Sequence, residues 1–507
     1  MKLPGKMDIE SDISYNRAEP PLILSIDIGT SSVKTAIFDL LGRSIAGSVA
    51  RRPGEIIARA DGTVVIDVEP LLNSVWDCID ETMAHSKASH QQIAGVGCCT
   101  FVSNILGVDS TGEAITPIYT YADTRPMQEA LWLRNNYDEA MFHQRTGCIF
   151  HPSYLPARFI WLNRAHPEYL AGDLRWMSID EYLALKLFGE TQVSYSVASW
   201  SGLLDRFRLD WDGDLLAILP IARNQLSSLV DADQPRIGLR QPFARRWLAL
   251  KDLPWFPAIG DGAAANLGSG CIKPDQIALT MGSTTGLRVV FPGNVPQIPQ
   301  GLWCYRVDRS TSLLGGAMSE GGNVYAWLKK TLRIDIALSD DDLLRDLPAD
   351  QHGLSFIPLL AGERSPGWRG DARGLIAGVS LATTPLDIFQ AALEGVAYRI
   401  GLIHSLLEQA LPGEHQVIAN GGALTRSPGW VQIIADVFGC RVTLSELEEA
   451  SARGAALLAL RSLGLVPDLS AFPDLSQREF LPDPVKHQAH RAAMLRQQKM
   501  YQSMMKP

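Results

Sequence analysis

Leu22-Ile23-Leu24-Ser25-Ile26-Asp27-Ile28-Gly29-Thr30-Ser31-Ser32 is the stretch on which the reading of this chain turns. Its unbroken apolar run predicts a buried strand, the glycine and three hydroxyls predict a tight turn, and 33–40 reads as a returning strand. The same grammar returns far downstream in Ile277-Ala278-Leu279-Thr280-Met281-Gly282-Ser283-Thr284-Thr285 and the apolar residues 286–291. Aligned without a gap, Gly29 falls on Gly282, Thr30 on Ser283, Ser31 on Thr284, Ser32 on Thr285 and Phe38 on Phe291. Asp27 falls on Thr280, so only the first copy keeps the acid.

A duplication this widely spaced is not a solenoid; it predicts two related domains that can face one another across a cleft. Outward from the first hairpin, a third strand is expected over 44–49, helices over 71–83 and 181–188, and a strand over 93–97. The class is α/β. The expected division is a loose tail over 1–20, a first domain over 21–265, a second over 266–465 ending in an apolar helix, and a weakly patterned extension over 466–507 that packs on the surface or frays.

Acidic residues outnumber basic ones, 55 to 46, for a formal net charge of −9, which gives no general attraction to nucleic acid or anionic membrane. Small or neutral partners fit better. The seven cysteines include no Cys-x-x-Cys pair, so neither a disulfide framework nor a zinc site is suggested, and a cytoplasmic setting is expected. No signal segment and no run of eighteen apolar residues is present. Nor does the N-terminal segment offer the length of a helix-turn-helix domain.

Phosphoryl transfer needs groups that neutralise phosphate charge, a magnesium ion held by oxygen ligands, and a base beside the attacking hydroxyl. Asp27 stands one residue before a Gly plus hydroxyl turn whose N–H groups can face phosphate, although a plain hairpin turn accounts for that segment equally well. It is not a Walker A loop, since no second glycine precedes Lys34, which reads as a strand residue. Ile259-Gly260-Asp261-Gly262-Ala263-Ala264-Ala265-Asn266-Leu267-Gly268 sets one acid between two glycines at a strand-to-helix turn. Gly260-x-Gly262-x-x-Ala265 loosely fits a dinucleotide fingerprint, but an aspartate there would press its charge against a pyrophosphate. A base that accepts a hydroxyl proton suits Asp261 better. Asn420-Gly421-Gly422-Ala423 and Gly321-Gly322-Asn323 could let a flat base approach the backbone, or could be turns needing positive φ.

From 22 to 463 these residues resemble the FGGY carbohydrate kinases, whose fold is similar to the actin and Hsp70 ATPases: two RNase H-like domains around an ATP cleft. The resemblance rests most firmly on Gly374-Leu375-Ile376-Ala377-Gly378-Val379 with Asp387-Ile388-Phe389-Gln390-Ala391-Ala392-Leu393-Glu394, and more loosely on Arg158-Phe159-Ile160-Trp161-Leu162, where Arg158 stands for the usual lysine. It implies ATP and Mg²⁺, with Asp27 near the metal and Asp261 as catalytic base. Thr30 and Ser31 would contact phosphate from one side, and Gly282, Ser283 and Thr284 from the other. Gly322, Gly421, Gly422 and Ala423 would line the adenosine pocket.

Within that family, 120–125, 260–268 and Gly362-Glu363-Arg364-Ser365-Pro366-Gly367-Trp368 look most like gluconate kinases, which implies a sugar or sugar acid as partner. Thr100, Asp123 and Arg125 are the expected substrate contacts, the guanidinium fork suiting a carboxylate, with an exposed ion pair as the alternative for the last two. Where relatives commonly carry a histidine, this chain reads Thr100-Phe101-Val102-Ser103-Asn104, so a ketopentose such as xylulose, or a polyol, is the competing substrate. A non-catalytic nucleotide-dependent sugar sensor on the same scaffold is the third expectation. Monomer and homodimer are both left open.

Overall fold

A computed structural model describes residues 12–85, 92–332, 344, 347–411, 413–445, 447, 449–469, 472 and 477–504. Two seven-stranded sheets dominate it. In the first, Leu22–Ile28 lies antiparallel to Ser32–Phe38 on one side and parallel to Ile93–Thr100 on the other, with Ile259–Gly260 parallel beyond. In the second, Gln276–Met281 lies antiparallel to Thr285–Pro292 and parallel to Gln416–Asn420, with Val442–Ser445 parallel beyond. The two sheets repeat one RNase H-like order, hairpin first and parallel strands after.

All seven residues of Leu22–Ile28 are buried because helices cover both faces of the strand. On one face Thr35 Oγ1 donates to the carbonyl of Cys78 in the helix Val68–His85 at 2.8 Å. On the other, Ser25 Oγ donates to the carbonyl of Ala452 at 2.7 Å. Ala452 belongs to the helix Ala450–Ser462, which comes from the far end of the chain. That helix crosses Asp261–Gly268, and the pair joins the two halves at the floor of the cleft.

Three expectations change. The strand expected over 44–49 ends at Ile45, because Gly47 turns the chain with φ 76° and a separate strand, Ala50–Pro53, follows. Residues 12–20, expected as loose tail, include Asp12–Ile13, which adds a parallel strand to Ser44–Ile45 and buries Ile13; residues 1–11 lie outside the described residues. The C-terminal extension is part of the second sheet and its cover. Gln477–Phe480 pairs antiparallel with Val442–Ser445. The helix Pro484–Met504 buries His490, Ala493 and Gln497, and Gln497 Nε2 donates to the carbonyls of Phe356 and Gly395 at 2.7 and 3.1 Å. Its sparse apolar stripe hid this, because much of its docking is made by buried polar side chains.

Candidate active site

The two duplicated turns stand on opposite sides of one cleft. Gly29 N donates to Ser32 O at 3.0 Å, and Gly282 N to Thr284 O at 3.0 Å, closing each turn. Around the second turn the glycines converge at the carboxyl ends of the parallel strands, the usual ligand edge of such sheets. Gly322 N donates to Gly282 O at 2.8 Å and Asn323 N to Ser283 O at 3.3 Å, so the helix Gly322–Leu332 begins against this turn. A Cβ on Gly322 would lie 2.7 Å from Gly282 O and 3.1 Å from the Ala423 methyl. Gly421 needs its φ of 99°, and a Cβ there would lie 2.5 Å from Met281 O. Gly282, Ser283, Gly322, Gly421 and Ala423 are therefore one surface; Gly422 beside them lies under the guanidinium of Arg426.

Between the turns is a cavity of about 370 Å³ that Ser31, Gly282, Thr284, Asp261, Arg288 and Arg364 help to line. Asp261 opens the helix Asp261–Gly268, and Gly262 N donates to its Oδ1 at 2.7 Å. Burial raises its pKa, while that N–H and the charges of Arg288 and Arg364 pull the other way. The flanking glycines have a steric cause. A Cβ on Gly260 would meet the Trp200 indole nitrogen at 2.7 Å, and one on Gly262 would meet the same ring at 3.1 Å. The indole thus braces the turn that presents Asp261, and in turn stacks on Tyr305 at 3.7 Å.

Asp27 is 7 % exposed and pairs in register with Lys34 and Cys99. Burial pushes its pKa up to about 6, Lys34 lowers it, and the charge of Asp261 adds to the rise. Lys34 itself is claimed by Glu449, 2.7 Å away. A buried carboxylate raised by a second carboxylate is a hard-oxygen environment that suits a divalent cation.

The expected substrate residues are not all brought here. Thr100 is buried at the end of its strand, its hydroxyl donating to the Phe101 carbonyl at 3.2 Å. Asn104 is committed to backbone, with Nδ2 2.6 Å from Phe101 O and Oδ1 accepting from Ile179 N at 2.9 Å. Asp123 is fully buried between Arg125, whose Nε donates to Oδ1 at 3.0 Å, and Arg158 at 3.4 Å. Arg125 lies 4.3 Å over the Trp161 ring and lines a separate groove of about 750 Å³. The ion pair offered as an alternative is present, with its acid fully buried and Arg125 half-buried.

Ser103, at φ 55°, does face the cavity, its hydroxyl donating to Trp200 O at 2.6 Å. Sequence reading gave no role to Arg288, Trp200 or Trp303, and quoted Arg364 only inside a motif. A lone arginine within the apolar run 286–291 was the signal available for Arg288.

Two duplicated lobes, paired Gly plus hydroxyl turns and a carboxylate between them define an actin-like ATP-dependent phosphotransferase. Residues 22–268 match the N-terminal domain of the FGGY family of carbohydrate kinases and residues 269–463 its C-terminal domain; the chain belongs to that family. It is 26% identical to a gluconokinase of Bacillus subtilis over 92% of both chains. Its fold is similar to a xylulose kinase from Lactobacillus acidophilus, TM-score 0.87 at 24% identity, and to a gluconate kinase from the same organism, TM-score 0.86 at 24% identity, each covering 95% of this chain and 98% of the other. Carbohydrate kinases transfer phosphate from ATP to a sugar hydroxyl. Among the described residues no helix is long and apolar enough to cross a membrane.

Proposed function

We propose that this kinase phosphorylates gluconate, giving 6-phosphogluconate and ADP, with Asp261 as base. The observation that carries the reading is the place of Asp261, half-buried in the cavity between the two turns, on a turn braced by Trp200. N–H groups of Thr30 and Ser31 from one lobe, and of Ser283 and Thr284 from the other, hold the phosphate oxygens, while the Gly282 N–H closes its turn on Thr284 O. Gly322, Gly421, Gly422 and Ala423 line the adenosine side. Asp27 is the carboxylate that would hold Mg²⁺, which when bound neutralises phosphate charge.

As the substrate oxygen attacks the γ-phosphorus, Asp261 takes the hydroxyl proton, the bond from the γ-phosphorus to its bridging oxygen breaks, and ADP leaves. Closure of the lobes excludes water, which would otherwise compete as acceptor. The gluconokinase among the relatives supports gluconate as acceptor.

A panel of gluconate, other aldonates, xylulose and glycerol, read by ADP release with MgATP, tests this. Highest kcat/KM with gluconate supports it. Turnover confined to a neutral sugar or polyol contradicts the substrate, and ATP binding without sugar-stimulated ADP release makes the chain a sensor instead.

A further inference from the structure

We infer that Arg288, with Arg364 beside it, forms a carboxylate-recognition subsite that selects a sugar acid over a neutral sugar. The inference rests on the kinase reading above and refines its acceptor. Arg288 sits in the strand Thr285–Pro292, 8 % exposed, and its side chain lines the cavity that holds Asp261. A guanidinium taken out of water is costly unless an anion and hydrogen-bond acceptors meet it. Here Nη2 donates to Thr280 Oγ1 at 2.8 Å, and Nε is buried with no partner. Arg364 repeats the pattern, its Nε buried and unpartnered and its guanidinium 5.7 Å over the Tyr121 ring.

Among the described residues neither arginine has a carboxylate within ion-pair distance; Asp261 is the acid whose charge they share. Two cations therefore face one anion in the cavity. The excess positive charge and the free donors call for a second carboxylate, and the planar fork of arginine is built to take one.

The backbone makes room for this side chain. A Cβ on Gly286 would lie 2.4 Å from Arg288 Nη1, so the glycine leaves vacant the space the guanidinium occupies. The competing role, contact with the transferring phosphoryl group, predicts a different kinetic signature: it would lower kcat for every acceptor alike.

The test is kinetic, on the full chain with MgATP, for gluconate and for xylulose or glycerol. Arg288→Gln is expected to lower kcat/KM for gluconate on the order of 100-fold, chiefly through KM, and to lower the gluconate-to-neutral ratio by a similar factor, because hydrogen bonds to charged groups are the strong ones. Arg288→Lys keeps the charge without the fork and is expected to recover part of the loss. Gly286→Ala, which displaces the guanidinium without removing it, is expected to shift the ratio the same way and serves if Arg288→Gln does not fold.

An equal fall in kcat for acid and neutral acceptors, or an unchanged ratio in both variants, overturns the inference while leaving the gluconate reading intact. A wild-type enzyme that refuses every aldonate overturns both, and that failure shows before any variant is made.

Discussion

Gly454 and Ala264 touch backbone to backbone: a Cβ on Gly454 would lie 1.9 Å from the Ala264 carbonyl oxygen. The contact is reciprocal, since a Cβ on Gly268 would lie 1.8 Å from Ala450 O. The helices Asp261–Gly268 and Ala450–Ser462 are thus held at the closest approach that helices allow, and Asp261 is the first residue of one of them.

Gly454→Ala drives a methyl into a carbonyl that cannot move without its helix. Overpacking of this kind costs about 1–3 kcal/mol. A lower urea midpoint and weakened MgATP binding are expected, whereas Gly213→Ala, with nothing within 4 Å of its Cβ, is expected to stay within about 0.5 kcal/mol of wild type. Equal midpoints for the two variants would show that the crossing tolerates bulk.

Asp123 neutralises two arginines, one of them Arg158, which also donates to the carbonyls of Thr120, Asp123 and Pro152. Asp123→Asn strands that charge, and removing one partner of a buried pair costs about 3–5 kcal/mol. Denaturation is expected to show the loss while KM for the sugar stays near wild type. A large KM change with intact stability would restore Asp123 to the substrate site.

Glu320 gives a pH signature. Its Oε1 accepts from Ala361 N at 3.4 Å, Oε2 is buried without a partner, and burial with the nearby Glu363 charge pushes its pKa up to about 7. A carboxyl raised in the folded state holds its proton where the unfolded chain has lost it. Its stabilising contribution is therefore complete below the ordinary glutamate range and is lost as pH rises through about 7. At about 1.4 kcal/mol per pH unit, up to about 3 kcal/mol is at stake. Between pH 5 and 8.5 the wild type is expected to lose more urea stability than Glu320→Gln; parallel profiles would contradict this.

The opening hairpin and its repeat were legible because a strand buried on both faces must be apolar throughout and its turn must carry glycine. Those two facts also give the pairing of lobes and the place of Gly282. Glu394 shows what sequence resemblance cannot tell by itself. The end of the most specific motif is a buried carboxylate accepting from Tyr398 OH at 2.8 Å and lying 3.1 Å from His352 Nε2, a brace for the lobe and not part of the cleft. Arg125, expected at the substrate, instead pairs with Asp123 beside a separate groove, and Arg288, to which the sequence assigned no role, lines the cavity, for a related reason. Residue type shows that a guanidinium can bind a carboxylate, but which carboxylate it meets depends on partners far apart in the chain. Trp200 was hidden likewise, since it meets Gly260 and Gly262 only once distant parts of the first lobe have folded together.

The most direct measurement is ADP release by Asp261→Asn with saturating gluconate and MgATP. Asparagine keeps the shape of the side chain but cannot accept the hydroxyl proton, so turnover is expected to fall by at least about 100-fold with nucleotide affinity retained. Turnover near the wild-type rate would contradict the assignment of Asp261 as base and, with it, the account of this cleft.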